Sequence, residues 1–144
     1  MRSSVPRAVL DTNVLVSALI SPGGGSARLL LELRSGAFEL LVSPLLLAEL
    51  REVLRRDKFR QYVSEAEVEA DAYVELIRSE GVVRADPAPS PEPLSADPDD
   101  EYLIDLARDA QVDALVTGDA HLLELRAIIP AMTPAEFLEL LPGR

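Results

Sequence analysis

Apolar positions fall in short continuous blocks rather than in strict alternation. Ala8-Val9-Leu10 is an all-apolar run closed by Asp11, the pattern of a strand buried on both faces. Thr12-Asn13 then supply N-cap chemistry for an apolar helix over residues 14–20, which Ser21-Pro22-Gly23-Gly24-Gly25 breaks. Ser26 is expected to cap a second helix that runs to Arg34 and stops at Gly36. Residues 38–42 form another apolar strand. Ser43-Pro44 is an N-cap followed by proline at the first helical position, opening a helix to about Arg55.

Ser64 with Glu67 matches a capping box for a longer helix ending near Gly81, followed by a brief strand at Val82-Val83. Residues 86–98 hold five of the eleven prolines and read as a stiff extended loop. A helix is expected over residues 99–110, a strand over 114–117 and a short helix over 119–125. Ala127-Ile128-Ile129 looks like a last strand, and Thr133-Pro134 opens a final helix. Strands and helices alternating at these lengths predict an α/β fold, a mainly parallel sheet with helices on both faces. In such sheets the site lies outside the carboxyl ends of the strands, where strand order reverses.

Composition narrows the chemistry. The 144 residues are 48% hydrophobic and 27% charged, which suits one globular domain, residues 1–144. The absence of cysteine excludes disulfide scaffolds, thiolate zinc sites and cysteine nucleophiles, and His121 is the only histidine. No apolar run approaches a membrane span and the start lacks a secretory apolar region, so a cytoplasmic protein without membrane attachment is expected. The net charge of −11 argues against general nucleic-acid affinity, though not against a nuclease whose acids gather at a metal site. Five of the fourteen basic residues, Arg51, Arg55, Arg56, Lys58 and Arg60, fall within ten positions.

Two acids directly follow strands, Asp11 and, across Gly118, Asp119. Helix capping explains either one alone as well as chemistry does. Glu49 borders the apolar stripe Leu46, Leu50, Val53 and Leu54, so it needs a partner, either a cation or a metal. Asp97-Pro98-Asp99-Asp100-Glu101 opens a helix with the stripe Leu103, Leu106, Ala107 and Ala110. Asp99 and Asp100 flank that stripe, while Glu101 projects away from it. The macrodipole accounts for one or two of these acids but not for four. Carboxylates converging at one sheet edge cannot all ionise without a cation, and an all-oxygen donor set suits Mg²⁺ or Mn²⁺. The chemistry that fits is metal-assisted phosphodiester hydrolysis.

Four segments taken together resemble the PIN-domain nucleases, and more narrowly the VapC-like toxins of bacterial toxin–antitoxin pairs. They are Val9-Leu10-Asp11-Thr12-Asn13-Val14-Leu15, the Ser43-Pro44 helix carrying Glu49, Asp97-Pro98-Asp99-Asp100, and Val116-Thr117-Gly118-Asp119. The resemblance covers about residues 7 to 138 and implies a three-layer, Rossmann-like α/β/α sandwich. It further implies a divalent metal, Mg²⁺ or Mn²⁺, and endoribonuclease activity on an RNA substrate. The family's acidic quartet maps onto Asp11, Glu49, Asp100 and Asp119, with Asp99 the alternative third acid and Asn13 and Thr117 in orienting positions. A cognate antitoxin and a homodimer are likewise implied. The proline-rich loop and the −11 charge depart from smaller members of the family.

On this reading Asp11, Asp100 and Asp119 bind metal and Glu49 positions or deprotonates the attacking water. The helix start at Asn13 is a candidate phosphate cradle, and Arg51, Arg55 and Arg56 are candidates for tracking an RNA backbone; a solvated helix face explains these arginines equally well. His121 is read as a surface or capping residue. A catalytically silent PIN-fold module that binds protein or RNA is the main alternative. A haloacid-type phosphatase or a receiver domain needs a late lysine, and Lys58, the only lysine, sits in the wrong half. Gly23-Gly24-Gly25 follows a helix rather than a strand, and neither a Walker motif nor a Gly-x-Ser-x-Gly elbow occurs.

Overall fold

The computed structural model describes residues 5–56 and 70–142. The expected capping box at Ser64 and Glu67, together with Lys58 and Arg60, lies outside the described residues. In chain order the elements are β1 (Arg7–Leu10), α1 (Thr12–Ile20), α2 (Gly25–Arg34), β2 (Glu39–Val42), α3 (Pro44–Leu54) and α4 (Ala70–Glu80). They continue with β3 (Val82–Val83), α5 (Pro98–Asp109), β4 (Ala114–Val116), α6 (Ala120–Leu123), β5 (Ala131–Met132) and α7 (Pro134–Leu140).

All strand pairings are parallel, in the order β3-β2-β1-β4-β5. The chain leaves β1 in one direction through β2 and β3, then returns to pair β4 on the other side of β1. Right-handed crossovers therefore put α1 to α4 on one face of the sheet and α5 on the other, a three-layer α/β/α sandwich. The packing agrees: α1 lies on α2 and α3, and α3 on α4, whereas α5 lies against β1 and β4. β1 is the central strand, and Ala8, Val9 and Leu10 are at most 1% exposed, as its unbroken apolar run requires. Helix α7 joins the first layer through Phe137, whose ring meets Phe38 edge to face at 5.0 Å.

Several element ends differ from the sequence expectation. Asp11, rather than Thr12-Asn13, is the N-cap of α1. The α2 cap is Gly24 with no side-chain bond, and Ser26 is buried inside the helix. Residues 127–129 form a turn, and the last strand is Ala131–Met132. Ile128 stays 63% exposed, so an apolar triplet there was not a strand signal. Helix α2 does run to Arg34 and is stopped by Gly36, which has φ +86°; the Gly36 and Ala37 amides return to the Leu33 and Glu32 carbonyls in a Schellman closure. Gln111 takes the same left-handed position after α5, with φ 52°.

Glu101 is the clearest reversal. Projected on an isolated helix it points away from the core, yet it is only 9% exposed. The proline-rich segment folds over that outer face, and the Leu94 and Ser95 amides donate to Glu101 Oε1 at 2.9 and 2.7 Å. The helix has a second covering layer that its own periodicity cannot reveal.

Candidate active site

The reversal of strand order falls between β1 and β4, and their carboxyl ends carry Asp11 and Asp119 as neighbours. Both acids are helix caps. Asp11 Oδ1 accepts from the Asn13 amide at 3.4 Å, and Asp119 Oδ1 from the His121 amide at 2.9 Å. Capping uses one oxygen of each carboxylate and not the whole group, so the two readings of these acids coexist. The same bonding occupies the start of α1: the Asn13 amide serves Asp11, and the Val14 and Leu15 amides bond the Asp11 carbonyl. The expected phosphate cradle there is already filled by the chain itself.

Thr117 ties the two strand ends together. Its side chain is fully buried; the hydroxyl donates to Asp11 Oδ2 at 2.8 Å and accepts from the Asp119 amide at 3.0 Å. Asp11 is 7% exposed. Burial raises its carboxyl above the ordinary range, the Thr117 and Asn13 bonds pull it back down, and the charges of Glu49 and Asp119 raise it further.

Asp97 caps α5, accepting from the Asp99 amide at 2.9 Å, and this sets the two following acids apart. Asp99 faces solvent, whereas Asp100 is half-buried. Partial burial and the charges of Asp119, Asp97 and Asp11 push the Asp100 carboxyl up to about 6, with His121 acting in the opposite sense. His121 itself is a surface residue, its side chain 85% exposed.

Glu49 reaches the site from α3. Its partners are hydroxyls rather than an arginine: Thr12 Oγ1 donates to Oε1 at 2.8 Å, and the Tyr102 hydroxyl donates to the same oxygen. Burial and the Glu49 bond hold the Tyr102 phenol well above the usual tyrosine range, so it stays a donor. The sequence marks Thr12 only as cap chemistry and does not mark Tyr102. Tyr102 had a usable signal, as one of three tyrosines in a chain with 4% aromatics, placed two residues after a candidate acid.

The remaining candidates are exposed. The Asn13 side chain is exposed. Arg51 and Arg55 both grip Asp71 on α4, at 2.8 and 2.9 Å, and Arg56 approaches Glu52 at 3.9 Å, all at exposed positions.

The chemistry of the donor set fits a hard, oxygen-seeking cation. The charge of Asp119 raises the carboxyls of both Asp11 and Asp100, and Asp11 raises Asp100 further, the signature of negative charge short of a counter-charge. Among the described residues no three acidic or histidine side chains already stand at ligating distance. Mg²⁺ does not require that, because it keeps several waters and takes one or two carboxylates directly.

The profile of the PIN domain matches residues 7–121, a span that includes all four acids. The chain belongs to the PIN-domain family. No curated protein gives a significant sequence match. Among solved structures, this PIN domain is similar to a chain in the crystal structure of VapBC2 from Rickettsia felis bound to a DNA fragment from their promoter. The TM-score is 0.59 and the identity 19%, over 88% of this chain and 98% of that one, which is a likeness of fold.

Proposed function

We propose that this PIN domain is a divalent-metal-dependent endoribonuclease and the toxin half of a toxin–antitoxin pair. The observation that carries the activity is the convergence of Asp11, Asp119 and Asp100 at the β1/β4 switch point, where the Asp119 charge raises the carboxyls of both Asp11 and Asp100. Asp11, Asp100 and Asp119 would hold the ion, directly or through water. When bound, Mg²⁺ or Mn²⁺ would supply counter-charge for the acids and for the scissile phosphate. Thr117 keeps the Asp11 carboxylate turned toward Asp119. Glu49, fixed by Thr12 and Tyr102, orients a water and takes its proton as the water oxygen attacks phosphorus and the opposite phosphorus–oxygen bond breaks. The half-burial of Asp100 favours it over the exposed Asp99 as third acid.

The toxin assignment is supported by the likeness to the VapBC2 structure, which was solved as a complex with DNA. Exposed Leu31, Ile128 and Leu140 offer apolar surface for an antitoxin or a second copy of the chain. Among the described residues no single helix is long and apolar enough to cross a membrane. Arg51 and Arg55, engaged with Asp71, remain RNA-tracking candidates only if RNA competes for them.

The spacing of the acids favours one second reading, a PIN-fold module without catalysis. Incubating mixed RNA with Mn²⁺ or Mg²⁺, beside EDTA and Asp11→Asn controls, separates the two. Cleavage lost in both controls is the expected result. Folded protein that neither cleaves RNA nor binds metal would establish the silent module instead.

A further inference from the structure

A cleft of about 350 Å³ lies between the proline-rich segment, the start of α3 and the outer face of α5. It is separate in construction from the acid cluster, and its polar chemistry is one-sided. Three carboxylates line it, Asp86, Glu101 and Asp105, with no arginine, lysine or histidine among the described lining residues. Two of the three are incompletely bonded. Asp86 Oδ2 accepts from the Leu45 amide at 3.0 Å and Glu101 Oε1 from two loop amides, but Asp86 Oδ1 and Glu101 Oε2 are buried with no partner. Glu101 is more than nine-tenths buried as a residue. Buried carboxylate oxygens left unbonded are destabilising unless something donates to them. Four of the twelve described lining residues are prolines, which bring apolar surface and no N–H, and no hydroxyl of the lining reaches the two oxygens.

We propose that this cleft binds a guanidinium group on an aliphatic stem, the side chain of an arginine in a partner polypeptide. A guanidinium presents five donors in a rigid fork and is always charged, so a single group can serve two separate carboxylate oxygens. The proline walls match the stem. The volume is near the lower end for ligand pockets, room for a side chain rather than for a cofactor. Free arginine fits poorly, because its own carboxylate would face three others with no cation to hold it. An arginine inside a peptide has no such carboxylate. Tyr102 lines the cleft and gives its hydroxyl to Glu49, so an occupant would press on a residue that positions the candidate catalytic acid. The site does not depend on the nuclease reading.

The test is an amide-shift titration of the full chain with N-acetyl-arginine methylamide. Its neutral isostere, N-acetyl-citrulline methylamide, and the decarboxylated amine agmatine run in parallel. The expected result is saturable shifts at Leu45, Ser90, Ser95 and Tyr102 on the order of 1–10 mM, with citrulline at least tenfold weaker. Asp86→Asn and Glu101→Gln keep the loop-holding acceptor oxygens, and each should weaken binding tenfold or more, while Asp11→Asn leaves it unchanged. If Glu101→Gln does not fold, Asp86→Asn decides alone. Equal binding of citrulline, indifference to both substitutions, or no shift at all would overturn the site and leave buried water as the partner of those oxygens. Agmatine binding more tightly than the capped arginine would overturn the polypeptide assignment in favour of a free guanidino-amine.

Discussion

Thr117→Val removes one hydroxyl and almost no volume at a fully buried position. Two bonds disappear with it, the donor to Asp11 Oδ2 and the acceptor for the Asp119 amide. A hydrogen bond to a buried charged group contributes about 1.5–3 kcal/mol and an ordinary one about 0.5–1.5 kcal/mol. The variant should therefore be destabilised by about 2–4 kcal/mol at pH 7, a fall of about 6–12 °C in Tm for a chain of this size. The loss should also depend on pH. The Thr117 bond is the largest influence lowering the raised Asp11 carboxyl, so the valine raises it further. An acid whose folded pKa lies above its unfolded value contributes stability that is present at low pH and lost as pH rises through the folded value. The gap between wild type and variant should accordingly be smallest near pH 3, where the lost acceptor of the Asp119 amide still counts, and widen as Asp11 ionises. Urea unfolding at several pH values, with Thr117→Ser as the hydroxyl-retaining control, measures this. A loss below about 0.5 kcal/mol at pH 7, or one constant with pH, would refute the claim that Thr117 acts through the charge of Asp11.

Mg²⁺ should stabilise the folded chain, by about 2.7 kcal/mol at a hundredfold excess over Kd, and Asp100→Asn should remove most of that gain without destabilising the metal-free protein at pH 7; thermal melts with and without Mg²⁺ decide. Because the Asp100 carboxyl is pushed from 3.8 up to about 6, its contribution to stability is present below about pH 4 and lost by about pH 6. Metal-free wild type should thus decline relative to Asp100→Asn across that window, while apparent Mg²⁺ affinity, read by calorimetry, falls below pH 6 as protons compete. Tyr102→Phe frees one side of Glu49 and should lower RNA cleavage about tenfold, some 1.4 kcal/mol, with Mg²⁺ affinity retained. Gln111→Gly should stabilise by about 1 kcal/mol, since Gln111 stands at φ 52° where a side chain is strained, and chemical denaturation will show it.

What was legible in the sequence follows from which forces are local. β1, β2 and β4 showed as unbroken apolar runs because both faces of a central parallel strand are covered, and Ser43-Pro44 and Thr133-Pro134 showed because caps are chemistry between near neighbours. Asp11 and Asp119 were readable as strand-end acids once the parallel sheet was inferred. Ser26 failed as a cap because a glycine took the position and the serine hydroxyl went inward. Ala127-Ile128-Ile129 failed because only Ile129 is buried there, and one buried residue is served by a turn as well as by a strand. Glu101 and Tyr102 were hidden for a deeper reason: their partners, the Leu94–Ser95 amides and Glu49, come from segments folded across α5, and no helical projection contains them.

The pairing of β1 with β4 also sets a clock. Asp11 is made early, but the hydroxyl that fixes it belongs to Thr117, 106 residues later. At elongation rates of about 5–20 residues per second, that interval is roughly 5–20 s, followed by the delay before the end of the nascent chain clears the ribosome. Throughout it Asp11 has neither Thr117 nor Asp119, and β1 lacks one of its two neighbours. A nascent chain therefore carries no assembled acid cluster until residue 119 is out. Any break in synthesis before that point leaves a fragment in which Asp11 lacks both its hydroxyl partner and its neighbouring acid.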